Sequence, residues 1–187
     1  PMKRDLMPFW QALLRDPRRI GAIAPAGRAL CSAMVREVLG RPPGLVIELG
    51  AGTGAITRGL LEAREQMSGL IAFEKAPELA ACLQKKFPGL TIHPGCASAV
   101  GQLQLPGENT LTLVSSLPFR SLPSGDRHRL SDAIAKLSAA TPHFRLIQYS
   151  YFGKLPFPSP AKHLAWRRKH TVMRNLPPAT LWVLEKT

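Results

Sequence analysis

Apolar positions recur along this chain in two rhythms. Short apolar runs, bounded by glycine, proline or polar residues, predict strands at 45–49, 70–74, 90–93, 111–115 and 143–151. Between them apolar residues fall at helical spacing. They predict helices over about 55–66, from Pro77 to Phe87, and from about Gly125 to Ala139 with Ser124 as the cap. Alternating strands and helices specify an α/β fold, a mainly parallel, doubly wound sheet. The chain ends differently. Two extended segments, 170–174 and 180–185, flank Asn175-Leu176-Pro177-Pro178 and read as a terminal antiparallel pair, which brings the sheet to seven strands. The stretch 153–165, with three prolines and a flanking Gly153, reads as mobile.

The first 44 residues carry helical rhythm only. Leu6, Phe9, Trp10, Leu13 and Leu14 share one helical face, and Asp16-Pro17 ends that helix. Phe9 and Trp10 beside arginines suit a membrane interface, and the same face suits a lid over a pocket or plain core packing. Residues 18–25 form a loop. A second helix runs from about Gly27 to Leu39 and is closed by Gly40 and Pro42-Pro43. The chain thus reads as one domain over 1–187, with an N-terminal helical cap region (1–44) and an α/β core (45–187).

One stretch departs from both rhythms: Val46-Ile47-Glu48-Leu49-Gly50-Ala51-Gly52-Thr53-Gly54-Ala55-Ile56-Thr57. A strand feeds a glycine turn, and a helix starts behind it. A turn at the carboxyl end of the first strand is a cofactor seat in open α/β sheets. The dinucleotide fingerprint needs G-x-G-x-x-G, but here the spacing is G-x-G-x-G and Ile56 stands where the third glycine would fall. No lysine follows Gly54, which excludes a phosphate-binding P-loop. The pattern resembles the first motif of class I S-adenosylmethionine-dependent methyltransferases. That resemblance implies S-adenosylmethionine as cofactor and S-adenosylhomocysteine as product. Glu48 then suits the cationic methionyl end. Glu74, at the end of the second strand, suits the ribose hydroxyls, with Lys75 beside the adenine.

Further fragments narrow the resemblance. Gly21-Ala22-Ile23-Ala24-Pro25, Ser116-Leu117-Pro118-Phe119, Gln148-Tyr149-Ser150-Tyr151 and Arg174-Asn175-Leu176-Pro177-Pro178-Ala179 with Trp182 resemble bacterial phospholipid N-methyltransferases, which methylate phosphatidylethanolamine. The resemblance spans roughly residues 6–185. It implies that Gly21 and Ile23 close over the methionyl end and that Gly50, Ala51, Gly52, Thr53 and Gly54 form the cofactor turn. Gly95-Cys96-Ala97 stands where the family usually has Gly-Asp-Ala against the adenine amine, so Cys96 and Ala97 take that place with a poorer acceptor. Ser116 stands where enzymes that methylate the amine of adenine carry Asn or Asp. A serine is a poorer grip on an aromatic amine, so this position favours an aliphatic acceptor. Ser116, Tyr149 and Tyr151 are the candidate catalytic residues. The tyrosines could relay a proton or hold an ammonium by cation–π contact, and equally could be strand packing.

Charge adds a partner. The net charge is +13, and it is uneven: 1–44 carries 8 Lys+Arg against 3 Asp+Glu, 45–119 carries 5 against 6, and 120–187 carries 12 against 3. A near-neutral core lies between two basic flanks, which suits an anionic membrane surface or nucleic acid. Arg167-Arg168-Lys169, with Arg15, Arg18 and Arg19, are the expected phosphate-binding rim, and His163 and His170 read as further phosphate contacts. His93 reads as structural. Three cysteines without metal-ligand spacing fit a reducing compartment and no metal site. No apolar run approaches the ~20 residues of a membrane span, and no secretory signal is evident.

The expectation is therefore a cytoplasmic enzyme peripheral to the inner membrane. It would transfer methyl groups to the amine of phosphatidylethanolamine, and to its mono- and dimethyl products, with no obligate protein partner. RNA adenine methylation is the alternative enzyme reading, and an inactive lipid- or RNA-binding module is the non-enzymatic one.

Overall fold

The computed structural model describes residues 26–105 and 107–187. The expected first helix, with Phe9, Trp10, Arg15, Arg18, Arg19, Gly21 and Ile23, lies outside them. In chain order the elements are α1 (Arg28–Leu39), β1 (Leu45–Leu49), α2 (Ala55–Glu62), β2 (Gly69–Glu74), α3 (Pro77–Lys86), β3 (Thr91–Pro94), β4 (Thr110–Ser115), α4 (Ser124–Ala140), β5 (His143–Tyr151), β6 (Leu164–Val172) and β7 (Ala179–Lys186). A short 3-10 helix, Ala97–Gln102, precedes β4.

The seven strands order as β3-β2-β1-β4-β5-β7-β6. β1 to β5 are parallel, and β7 runs antiparallel between β5 and β6. Central strands covered on both faces must be apolar along their whole length. All five residues of β1 are buried, and Leu111 and Leu113 of β4 are fully enclosed. One face packs under α1, α2 and α3 through Met34, Leu60, Leu83 and Tyr149. The other packs under α4 and the 3-10 helix through Val100, Leu130, Ile134 and Phe144.

The register levels the strand ends. Leu49 lies opposite both Phe73 and Ser115, so Gly50, Glu74 and Ser116 emerge side by side at the carboxyl edge. The strand order reverses direction between β1 and β4, and open α/β sheets bind ligands at such a switch point.

Two expectations change. β6 begins at Leu164, six residues before the predicted strand, because an edge strand exposes one side and here presents Arg167 to His170 to solvent. Charged side chains on an edge also block pairing with another sheet. The loop before it, read as mobile, is anchored: Phe157 is buried and stacks on Phe119 at 3.7 Å, and Trp166 Nε1 donates to the Phe157 carbonyl. Ser124 is the first residue of α4 rather than its cap.

Candidate cofactor and acceptor site

The glycine turn is held from below. Gly50 and Ala51 both donate to the Phe73 carbonyl, at 2.9 and 3.1 Å, and Gly54 N–H donates to the Ala51 carbonyl. Gly54 lies in the left-handed region (φ +81°), where an added Cβ would stand 2.6 Å from Phe87. Gly52 is also left-handed (φ +56°), but nothing lies within 4 Å of where its Cβ would be. The turn is therefore tight on its protein side and open over Gly52.

Glu74 closes the turn. Oε2 accepts the Gly52 N–H at 2.7 Å, and Oε1 accepts the Ala76 N–H at 2.9 Å. Each carboxylate oxygen keeps further acceptor capacity, so two hydroxyls could be taken at once. Beside it lies a cavity of about 130 Å³ lined by Gly50, Phe73, Glu74, Gly95, Cys96 and Leu117 among others. Cys96 Sγ accepts from Ser98 Oγ at 3.2 Å. Ala97 and Lys75 also border this cavity.

Lys75 reaches Asp126 Oδ2 at 3.2 Å, from β2 to the first turn of α4. That hydrogen bond, with Arg129 adding to it, holds the Asp126 carboxyl below its ordinary value. Asp126 also borders the cavity and was not singled out from sequence. Its partners come from distant elements, and no local pattern marks it.

Glu48 is not on the wall of any described cavity. It lies on the β1 face beneath α1 and α2, 1% exposed, with Oε2 accepting from Thr57 Oγ1 at 2.6 Å. Burial pushes its carboxyl up to about 7, against the Thr57 hydrogen bonds. The expected contact with a methionyl amine is thus replaced by a tie between β1 and α2. Thr53 and Gly54 instead border a groove of about 720 Å³ between α1 and α2, which also carries Arg28, Arg36, Arg58 and Lys86. Lys86 Nζ donates to the Thr53 carbonyl at 2.8 Å.

Ser116 Oγ donates to the Gly50 carbonyl at 2.6 Å, which ties the loop after β4 to the glycine turn. Leu117 follows, and an added Cβ on Gly50 would meet it at 2.5 Å. Leu117 lines a second cavity of about 230 Å³ on its far side, with Pro118, Gln148, Tyr149 and Tyr151. One leucine thus separates two chambers.

In the second chamber Gln148 Nε2 donates to the Leu117 carbonyl at 2.9 Å, and its Oε1 is buried without a hydrogen-bond partner. The sequence signal for Gln148 was a lone polar residue inside the run Phe144–Tyr149. Tyr149 and Tyr151 meet edge to face at 5.8 Å. Burial raises both phenols, most strongly Tyr149, while a hydrogen bond with Asn175 partly offsets the rise in Tyr151. Both stay protonated at neutral pH, so they offer rings and hydroxyls rather than a base. Tyr149 also packs in the core beneath α1.

The basic run does not form a rim. Arg167 pairs with Glu185 at 2.7 Å, and Lys169 with Glu37 at 3.3 Å. Arg168 alone leans toward this end, with Nη2 donating to Thr171 Oγ1 at 3.4 Å. His163 Nε2 lies 2.9 Å from Ser138 Oγ, at the opposite end of the sheet from the two chambers. His93 stacks on Phe73 at 4.9 Å.

No family model matches the chain. It is 38% identical over 89 residues to ribosomal RNA small subunit methyltransferase A of Laribacter hongkongensis, covering 46% of this chain and 33% of that protein. The chain therefore spans about a third of the length of that relative. It is 27% identical over 149 residues to the ornithine lipid N-methyltransferase of Singulisphaera acidiphila, covering 77% of this chain and 78% of that one. Its structure superimposes on the Burkholderia thailandensis 1,6-didemethyltoxoflavin-N1-methyltransferase, crystallised with 1,6-didemethyltoxoflavin and S-adenosylhomocysteine. The TM-score is 0.57 at 17% identity, over 97% of this chain and 87% of that one. The fold is the class I methyltransferase fold. The residues present suit that fold's cofactor: paired acceptors on Glu74 for a ribose diol, open space over Gly52, and a flat slot between Cys96 and Leu117 for a base. Among the described residues no helix is long and apolar enough to cross a membrane.

Proposed function

We propose that this chain is an S-adenosylmethionine-dependent N-methyltransferase whose acceptor is the primary amine of a lipid headgroup, phosphatidylethanolamine or another aminolipid. The observation that carries this reading is Ser116. Its hydroxyl is committed to the Gly50 carbonyl, so the acceptor chamber lacks the side-chain amide or carboxylate that grips the amine of adenine. The match to the ornithine lipid enzyme, which runs through most of both chains, supports the same acceptor class.

When bound, S-adenosylmethionine supplies an electrophilic methyl group on a sulfonium. Glu74 and the glycine turn would hold its nucleoside, and Leu117 would set the separation between donor and acceptor. The protein then contributes positioning and exclusion of water. The amine must arrive unprotonated. Among the described residues no Asp, Glu or His lines the acceptor chamber, whereas Lys154 and Arg120 do. Burial and like charge both disfavour an ammonium, so the chamber selects the neutral amine, and the proton leaves to water on entry. The Tyr149 and Tyr151 rings offer the contact surface for the methylated product.

The test is a labelling experiment. Protein and methyl-labelled cofactor are incubated with vesicles containing phosphatidylethanolamine, with vesicles containing ornithine lipid, and with RNA. Label in a lipid headgroup is expected, with kcat/KM rising with pH as the free amine accumulates. Label in adenine overturns the reading in favour of RNA methylation, which the similarity to ribosomal RNA methyltransferases and the retained Leu117-Pro118-Phe119 would then explain. Label in neither, with no bound cofactor by calorimetry, leaves a binding module.

A further inference from the structure

Four large apolar side chains are conspicuously exposed among the described residues: Phe152 (78%), Leu155 (45%), Met173 (72%) and Leu176 (90%). They come from two separate segments, the loop after β5 and the turn between β6 and β7. The register brings these together. Tyr151 lies opposite Ala179, and Ala179 lies opposite Val172. Phe152 and Met173 therefore leave the sheet at the same level, two strand spacings or about 10 Å apart. The two segments form one apolar tip at the carboxyl end of the sheet.

This tip adjoins the acceptor chamber, because Phe152 and Leu155 stand on the chamber's wall. It is also ringed by cations. Arg120, Lys154, Arg168 and Arg174 are exposed, and none is in an ion pair among the described residues. Arg120 donates to the Leu155 carbonyl, and the Arg168 guanidinium comes within 3.9 Å of the Cβ position of Gly153. No Asp or Glu occurs anywhere from 133 to 184, a span with eight Lys or Arg.

We propose that this tip is the surface by which the protein docks on an anionic membrane, with Phe152, Leu155, Met173 and Leu176 entering the interface and the four cations meeting lipid phosphates. Apolar side chains that reach below the headgroups, flanked by Lys and Arg at headgroup level, are the arrangement of an interfacial anchor. A nucleic acid backbone would use the cations but leave Met173 and Leu176 in water. Docking in this pose would put the mouth of the acceptor chamber against the headgroup layer. The inference rests on the aminolipid reading and specifies how the substrate reaches the site.

The experiment uses the double variant Met173→Ser, Leu176→Ser and, separately, Arg174→Gln. Neither Met173 nor Leu176 lines a chamber. Sedimentation with phosphatidylglycerol-containing vesicles should fall about tenfold or more for the double variant and several-fold for Arg174→Gln. Cofactor affinity and methylation of a short-chain, monomeric aminolipid should match the parent. A double variant that sediments like the parent overturns the docking surface while leaving the aminolipid reading intact. A loss of RNA retention with unchanged vesicle binding overturns it too, in favour of a nucleic acid surface. A parent that methylates neither the vesicle lipid nor the monomeric one removes the reading on which the inference rests.

Discussion

Glu48 occupies the driest polar position near the site. Its carboxyl is pushed from its ordinary value of 4.5 to about 7. Between those pH values the folded protein keeps a proton that the unfolded chain has released, so stability is greatest below pH 4.5 and falls as pH rises through the window. Glu48→Gln keeps an acceptor for Thr57 and removes the cost of the buried charge. It should stabilise the protein above pH 7 by up to about 3 kcal/mol, at about 1.4 kcal/mol per pH unit, with the gain vanishing near pH 4.5 in melts run across that range. Glu74 behaves oppositely, since it holds Gly52 and Ala76 and faces the cofactor cavity. Glu74→Ala should weaken S-adenosylmethionine binding by about 2 kcal/mol, the scale of hydrogen bonds to a charged group; calorimetry showing unchanged affinity would remove it from the ribose. The two acids look alike in the sequence, each ending an apolar run. Burial divides their roles, and burial depends on which helices cover each strand face, which no local pattern states. Asn175 was hidden for the same reason: its Oδ1 accepts from Gly27 N–H, 148 residues away.

At the scale of elements, the glycine turn makes two distinguishable demands. Gly54→Ala would force a left-handed alanine into Phe87 and Leu83. Backbone strain and overpacking together should cost about 2–4 kcal/mol in urea unfolding. Gly52→Ala meets nothing in the protein, so only the backbone cost of about 1–2 kcal/mol applies. Its cofactor affinity should nevertheless drop more than that of any other conservative change in the turn, since the methyl group would fill the open space. This turn and the strands feeding it were legible, because buried parallel strands are unbroken apolar runs and a left-handed turn needs glycine. The start of β6 was not. An edge strand with a solvent face can carry Arg-Arg-Lys-His where a central strand cannot, so its charges read as a tail.

Across the whole molecule, charge and cofactor seat are segregated. The span 45–119 is close to neutral, while 120–187 is strongly basic. Raising salt shortens the screening length from about 8 Å to about 3 Å at 1 M. Association with anionic vesicles should therefore weaken steeply with salt, while cofactor affinity stays nearly constant; parallel loss of both would mean that the segregation has no functional meaning. The same division runs through the sheet. β1 and β2 present the donor seat, β5 presents the acceptor chamber, and Leu117 is the partition between them. Chemistry and acceptor choice are thus separable inheritances. Grafting the strand-five to strand-seven segment of a different methyltransferase of this fold onto this chain after Thr141 should exchange the acceptor and leave the methyl donor untouched, so one seat can serve lipid, nucleic acid or small-molecule acceptors by exchange of a single terminal segment.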